Sequence, residues 1–243
     1  MKWVLTPDEF SHVWENETNL DRKPYPVNMV PAATVRTESE YAALRLPQRF
    51  ARQADPDLAA ALMLCGRTDA TTITVSGERS TPPRNGSSGD AERILAFAAV
   101  VHNHAGILVA TPDKVTVLMC HARAVGERLV QIIGSAPAGR LAAMREPQDA
   151  VLSPDRTEPF VTNGHRGAAR FRQTLRKPVD GRGFLTVTVE PDNPMSPPTR
   201  HRTWLDFTGD GRYLLTTSQD LILTPVSDED FAAQFVSLAH IRA

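Results

Sequence analysis

The chain has 243 residues, 41% of them apolar and 23% charged, and its 27 basic and 28 acidic side chains leave a formal net charge of -1. That length suits one large or two small domains with a core that needs no staples, and the balanced charge excludes a global pull toward nucleic acid or acidic membrane. Two cysteines, Cys65 and Cys120, are too few for a disulfide framework and read as free thiols of a reducing cytoplasm.

Met1-Lys2-Trp3-Val4-Leu5 runs straight into Thr6-Pro7-Asp8-Glu9, without room for the apolar core of a signal peptide. A helix is predicted there. Thr6 is an N-cap, Pro7 suits the first helical position and Glu9 completes a capping box, while Leu5 and Phe10 are spaced as a hydrophobic staple. Phe10, Val13 and Trp14 form its apolar face. Lys23-Pro24-Tyr25-Pro26 stops the helix, because each proline disfavours helical backbone in the residue before it. Helical patterns resume over Glu38–Ala54 and Asp57–Cys65. Four strands follow: Thr71–Val75, Ile94–Val101, Ile107–Ala110 and Val115–Met119. Short connections make the last three an antiparallel meander. The run Ile94–Val101 is far shorter than the about 20 residues that cross a bilayer. Helical spacing returns at Ala122–Ile133, with Val125, Leu129 and Ile132 on one face.

The second half repeats this order. Phe184–Val189, Arg202–Phe207, Arg212–Thr217 and Leu221–Thr224 read as strands, and a helix from Asp228 to about His240 opens on Ser227 as N-cap with Asp230 three residues on. In each half a long polar gap, Gly77–Ala91 or Pro191–Thr199, separates the first two strands. The expected fold is α/β (α+β), one domain in two pseudo-two-fold-related β-β-β-β-α halves, residues 1–135 and 136–243. They share a central, twisted, largely antiparallel sheet with helices packed on it.

No constellation declares a reaction. Asp206, Thr208, Asp210 and Gly211 imitate the start of a calcium loop, but the twelfth position is Thr217 where a bidentate glutamate is needed, and strands flank it. A hairpin turn is the better reading. His102, His104 and His121 have no acidic or cysteine partner at ligand spacing except Cys120, short of the four ligands of a structural zinc site, and read as solvated turn residues. Gly86-Ser87-Ser88-Gly89 is one residue short of a nucleophile elbow and lies in polar loop. Phosphate-binding glycine motifs are missing from the sequence. The segment Gly164–Arg182 is locally basic, with Arg166 and Arg170, then Arg172 and Arg176, one helical turn apart. Only Phe171 interleaves as a stacking ring.

Leu5-Thr6-Pro7-Asp8-Glu9-Phe10 with Trp14, Pro24-Tyr25-Pro26, Trp204-Leu205-Asp206-Phe207, Asp210-Gly211-Arg212-Tyr213-Leu214 and the closing Thr224-Pro225-Val226 with Phe231 carry a resemblance. The chain resembles the EspG family of actinobacterial type VII (ESX) secretion-associated proteins over nearly its full length. The resemblance implies a non-enzymatic cytosolic chaperone, without metal or cofactor. Its partner would be a PE–PPE heterodimer, bound at the apolar tip of the PPE helices, kept soluble and directed to the secretion machinery. It places the partner surface on the central sheet, the loop Gly77–Ala91 and the C-terminal helical part. The candidate contacts are Glu78, Arg79, Arg84, Asn85 and Asp90 in the loop and Ala96, Ala98 and Val100 on a strand, the last three subject to a period-two register. The alternative is a nucleic-acid-binding regulator using Gly164–Arg182, which a steep salt dependence of duplex binding would reveal.

Overall fold

The computed structural model describes residues 1–29, 37–80, 91–152 and 163–241. The chain opens with β1 (Lys2–Leu5) and α1 (Pro7–Thr18) and passes through two short helices, α2 (Glu38–Ala43) and α3 (Leu46–Arg49), to α4 (Pro56–Cys65). Then come β2 (Thr71–Ser80), β3 (Ala91–Val101), β4 (His104–Ala110), β5 (Val115–His121) and α5 (Val125–Ile133). The second half runs β6 (Met144–Pro147), α6 (Gln148–Leu152), α7 (Asn163–Leu175), β7 (Val179–Thr188), β8 (Arg200–Phe207), β9 (Gly211–Thr217), β10 (Asp220–Pro225) and α8 (Asp228–Leu238). Among the described residues no helix is long and apolar enough to cross a membrane.

The strands form one sheet in the order β1-β5-β4-β3-β2-β7-β8-β9-β10-β6, antiparallel at every neighbouring pair. From the central β2–β7 pair outward, both halves follow the same sequence of strands. The repeated unit is therefore larger than a β-β-β-β-α run: each half also starts with a short edge strand, β1 or β6, that pairs with the half's last strand. Local signals hold where they were expected. Thr6 and Ser227 both close capping boxes, with Glu9 and Asp230. The helical run over Glu38–Ala54 is broken instead, with Arg45 at φ 49° between α2 and α3. Pro47 has no N–H to give to the preceding turn, so the two pieces cannot join.

Three apolar clusters sit on the sheet. On one face α5 and α8 cover the centre, where Phe231, Phe235 and Leu129 meet Ile73, Ala96, Ala98, Leu185 and Trp204. The helices cross closely: a Cβ at Gly126 would lie 2.2 Å from the Ala232 carbonyl oxygen, so only glycine allows that approach. On the other face α1 and α4 cover β3–β5 around Phe10, Trp14, Leu62 and Phe97. In the second half the same face carries α6 and α7, packed through Val151 and Phe171 onto Phe207, Tyr213 and Leu223.

Trp204 sets the shape of the centre. Its indole lies across β7 and β2, over Gly183 and Gly77; a Cβ at Gly183 would fall 2.1 Å from one ring carbon and one at Gly77 2.6 Å from its neighbour. Two cross-strand glycines leave the ring its place.

Candidate protein-docking surface

Cross-strand partners point to the same side of a sheet. Three rows therefore share the face opposite α5 and α8: Thr74–Thr186–His201, Ser76–Phe184–Thr203 and Glu78–Arg182–Leu205. The first-half helices stop at β3 and the second-half helices lie over the outer strands, so among the described residues no helix covers the middle of this face. Small hydroxyl residues line it. In their midst the Phe184 ring is 64% exposed, although it sits on a central strand. The Tyr25 hydroxyl donates to Ser76 Oγ at 3.3 Å, which brings a second exposed ring beside Phe184's row. Backbone groups here are already paired within the sheet. Short side chains let a partner approach closely, and one large ring supplies an anchor of the kind that dominates binding energy at interfaces.

Glu78 belongs to this face. Arg182 donates to its carboxylate through Nε at 2.7 Å, and both side chains are largely exposed. Such an exposed pair adds little to the stability of the fold, about 0–1 kcal/mol. Arg79 projects to the other side. It donates to Glu92 at 2.8 Å and to the Ile133 carbonyl at 3.3 Å, so it caps the end of α5, where a cation complements the helix dipole.

The strand candidates are covered. Ala96, Ala98 and Val100 are at most 6% exposed, beneath α5 and α8. The opposite register is also closed, because Leu95, Phe97 and Ala99 lie beneath α1 and α4. With helices on both sides, β3 is closed to a partner from Ile94 to Val100; on the face opposite α5 and α8 the exposed surface begins one strand further in, at β2. Arg84, Asn85 and Asp90 lie outside the described residues. The gap read over Gly77–Ala91 is shorter at both ends, since Gly77–Ser80 and Ala91 pair as strand.

Phe184 escaped the sequence reading although a signal was present. From Phe184 onward the strand alternates, with Leu185 and Val187 on one phase and Thr186 and Thr188 on the other. A phenylalanine in the hydroxyl phase is the exception. The basic segment resolves differently. It forms α7 and the start of β7, and Phe171, its one interleaved ring, is buried in the core and cannot stack on a base. Among the described residues no group of three or more His, Cys, Asp or Glu side chains is placed to hold a metal ion.

The Trp204–Leu214 motif is a hub. Arg212, 1% exposed, donates to Asp206 through Nε and Nη2 at 2.7 and 2.8 Å, to the Gly134 carbonyl at 2.8 Å and to Asp228 at 3.2 Å. Its guanidinium also lies 5.0 Å from the centre of the Phe231 ring. Next to it the Tyr213 hydroxyl donates to Asp210 at 3.0 Å and accepts the Leu141 N–H at 2.8 Å. Burial pushes the Tyr213 phenol above its usual range, and its bond to Asp210 adds to the rise. These bonds fasten the connection between the halves to the β8–β9 hairpin and the start of α8.

The EspG family model matches residues 6–235. Among solved structures, the Mycobacterium tuberculosis type VII secretion system chaperone EspG5, in complex with the PE25–PPE41 dimer, superposes with a TM-score of 0.65. The match covers 99% of this chain and 96% of that one at 11% identity, a likeness of fold. Curated protein sequences give no significant match. With a family model that runs from the Thr6 cap of α1 to Phe235 on α8, the chain belongs to the EspG family.

Proposed function

We propose that the protein is a cytoplasmic chaperone of type VII secretion that holds a PE–PPE heterodimer, keeps it soluble and directs it to the secretion machinery. The apolar tip of the PPE helices seats on the open sheet face, around Phe184 and Tyr25, with Glu78 and Arg182 at the rim and residues 81–90 as a flanking contact. The role is binding, without catalysis. One observation carries this reading: a central strand of a well-covered sheet keeps a phenylalanine 64% exposed, on the face that no helix closes among the described residues. Exposed apolar surface of this kind marks interaction sites, and an apolar helix end is the complementary hazard that a chaperone would cover. Family membership and the shared fold support the choice of partner.

The test is co-expression with PE–PPE pairs encoded in the same genome, followed by affinity purification through the PE partner. A soluble ternary complex is expected from at least one pair. Recovery of every PE–PPE pair without the chain would contradict the reading.

A further inference from the structure

The open sheet face lies on the pseudo-two-fold axis. Val101–His104 closes the β3–β4 hairpin as Phe207–Gly211 closes β8–β9, and His121 and Ser227 cap the helical turns that follow the last strands. Counting back from Val101 and Phe207 sets Phe97 on Thr203 and Leu95 on His201. Their partners on the central strands then correspond, Thr74 to Phe184 and Ser76 to Thr186. The axis runs through the Val75–Leu185 pair, between these two rows. The walls of the face are related as well, because α1 and α4 follow edge strand β1 as α6 and α7 follow β6.

A two-fold face would accept an asymmetric partner equally well in two orientations, half a turn apart. The side chains that break the symmetry choose between them. Beside the axis one hydroxyl repeats, Ser76 answering Thr186. Phe184 does not repeat, since its counterpart is Thr74. Further out, the ion pair of Glu78 and Arg182 is answered by Thr188 and Thr72. One end of the face therefore carries the ring and the ion pair, with Tyr25 bonded to Ser76 beside them, and the other carries threonines and His201. Magnitudes rank the two devices. An anchoring ring is worth about 30-fold or more in affinity, an exposed ion pair about fivefold at most.

From this broken symmetry we infer that Phe184, standing on one side of the axis only, fixes the orientation in which the face receives its partner. The inference rests on the chaperone reading, whose PE–PPE heterodimer is asymmetric because its two chains differ. Turned by half a turn, the same heterodimer would bring its apolar tip over Thr74, which has no ring to offer.

The test places a photo-crosslinking amino acid at Arg93 or at Thr199, exposed positions that correspond across the axis at opposite ends of the face. Each chain is bound to a PE–PPE pair that the wild type captures, and the crosslinked partner peptides are identified by mass spectrometry. The two probes should mark different peptides. Phe184→Thr with Thr74→Phe moves the ring across the axis; it should bind within about tenfold of wild type and exchange the two peptide sets. Phe184→Thr alone keeps the test decisive if the exchange variant fails to fold. At saturating partner each probe should then mark both sets, the minor one at about one fifth of the major or more. The inference is overturned if both probes mark the same mixture in the wild type, if the folded exchange variant keeps the wild-type pattern or does not bind, or if Phe184→Thr alone retains a single set at each probe. A wild-type chain that captures no PE–PPE pair would overturn the chaperone reading, and this inference with it.

Discussion

Arg212 and Asp206 face each other across the β8–β9 hairpin and are joined by two N–H···O bonds, with the guanidinium almost wholly out of solvent. The same guanidinium holds the Gly134 carbonyl, so one side chain links the hairpin, the connection between the halves and α8. Removing one partner of a buried pair leaves an uncompensated charge, at a cost of about 3–5 kcal/mol. Asp206→Ala and Arg212→Ala should each lower unfolding stability by that order, and the double variant by clearly less than the sum. Urea denaturation of the four proteins measures it; additive losses would show that the two residues act independently.

Trp204 and the glycine pair beneath it make a second unit. Gly183→Ala places a methyl group inside the indole's volume and should cost about 1–3 kcal/mol through overpacking. The Trp204 Nε1–H is buried with no partner among the described residues. Trp204→Phe removes that unpaired donor and frees the space, so it should reduce the penalty of Gly183→Ala in a double-mutant cycle. Thermal unfolding curves of the single and double variants are the check. An unchanged penalty would place the clash elsewhere.

What the sequence reveals about this core divides along sequence distance. Capping boxes at Thr6 and Ser227 are legible because all their partners lie within four residues. The ends of β2 and the start of β7 are not: Gly77-Glu78-Arg79 and Gly181-Arg182-Gly183 have poor strand propensity, and they are extended because they pair with each other and leave room for Trp204. The four-residue edge strands β1 and β6 are likewise fixed by partners more than 70 residues away in the chain. The register of β3 followed from neither periodicity nor composition, because helices cover both of its faces. The Arg212 motif could be recognised as a set of residues, yet its role depends on Gly134 and Asp228, which no local pattern connects to it.

Alkaline stability should report on Tyr213. Its phenol titrates above the usual range in the folded chain, so between the unfolded and folded pKa the unfolded chain has released a proton that the folded chain keeps. Stability is then fully present below about pH 10 and falls as the pH rises past it. Tyr213→Phe loses the Leu141 hydrogen bond, worth about 1 kcal/mol, and should show a flatter decline. Melting temperatures of the two proteins from pH 8 to 11 test this; parallel declines would assign the loss to other groups.

The two thiols should differ in reactivity. Cys65 is 3% exposed, packed against Gly106, and burial pushes its thiol far up. Cys120 is only partly buried, and its thiol is raised as well. Because the thiolate is the reactive form, iodoacetamide should label native protein slowly and at Cys120, reaching Cys65 only after unfolding. Mass spectrometry of peptides from timed samples would show the order. Labelling of Cys65 first would contradict the packing of α4 on β4.

The open sheet face is the centre of the account, and Phe184 is its anchor. Once a PE–PPE pair has been recovered with this protein, the dissociation constant of that complex should be compared between wild type and Phe184→Ala. A ring that anchors the interface contributes about 2 kcal/mol or more, so the variant should bind about 30-fold more weakly while its melting temperature stays close to wild type, since the ring lies largely outside the core. Equal affinity of the two proteins for the same pair would contradict docking on this face.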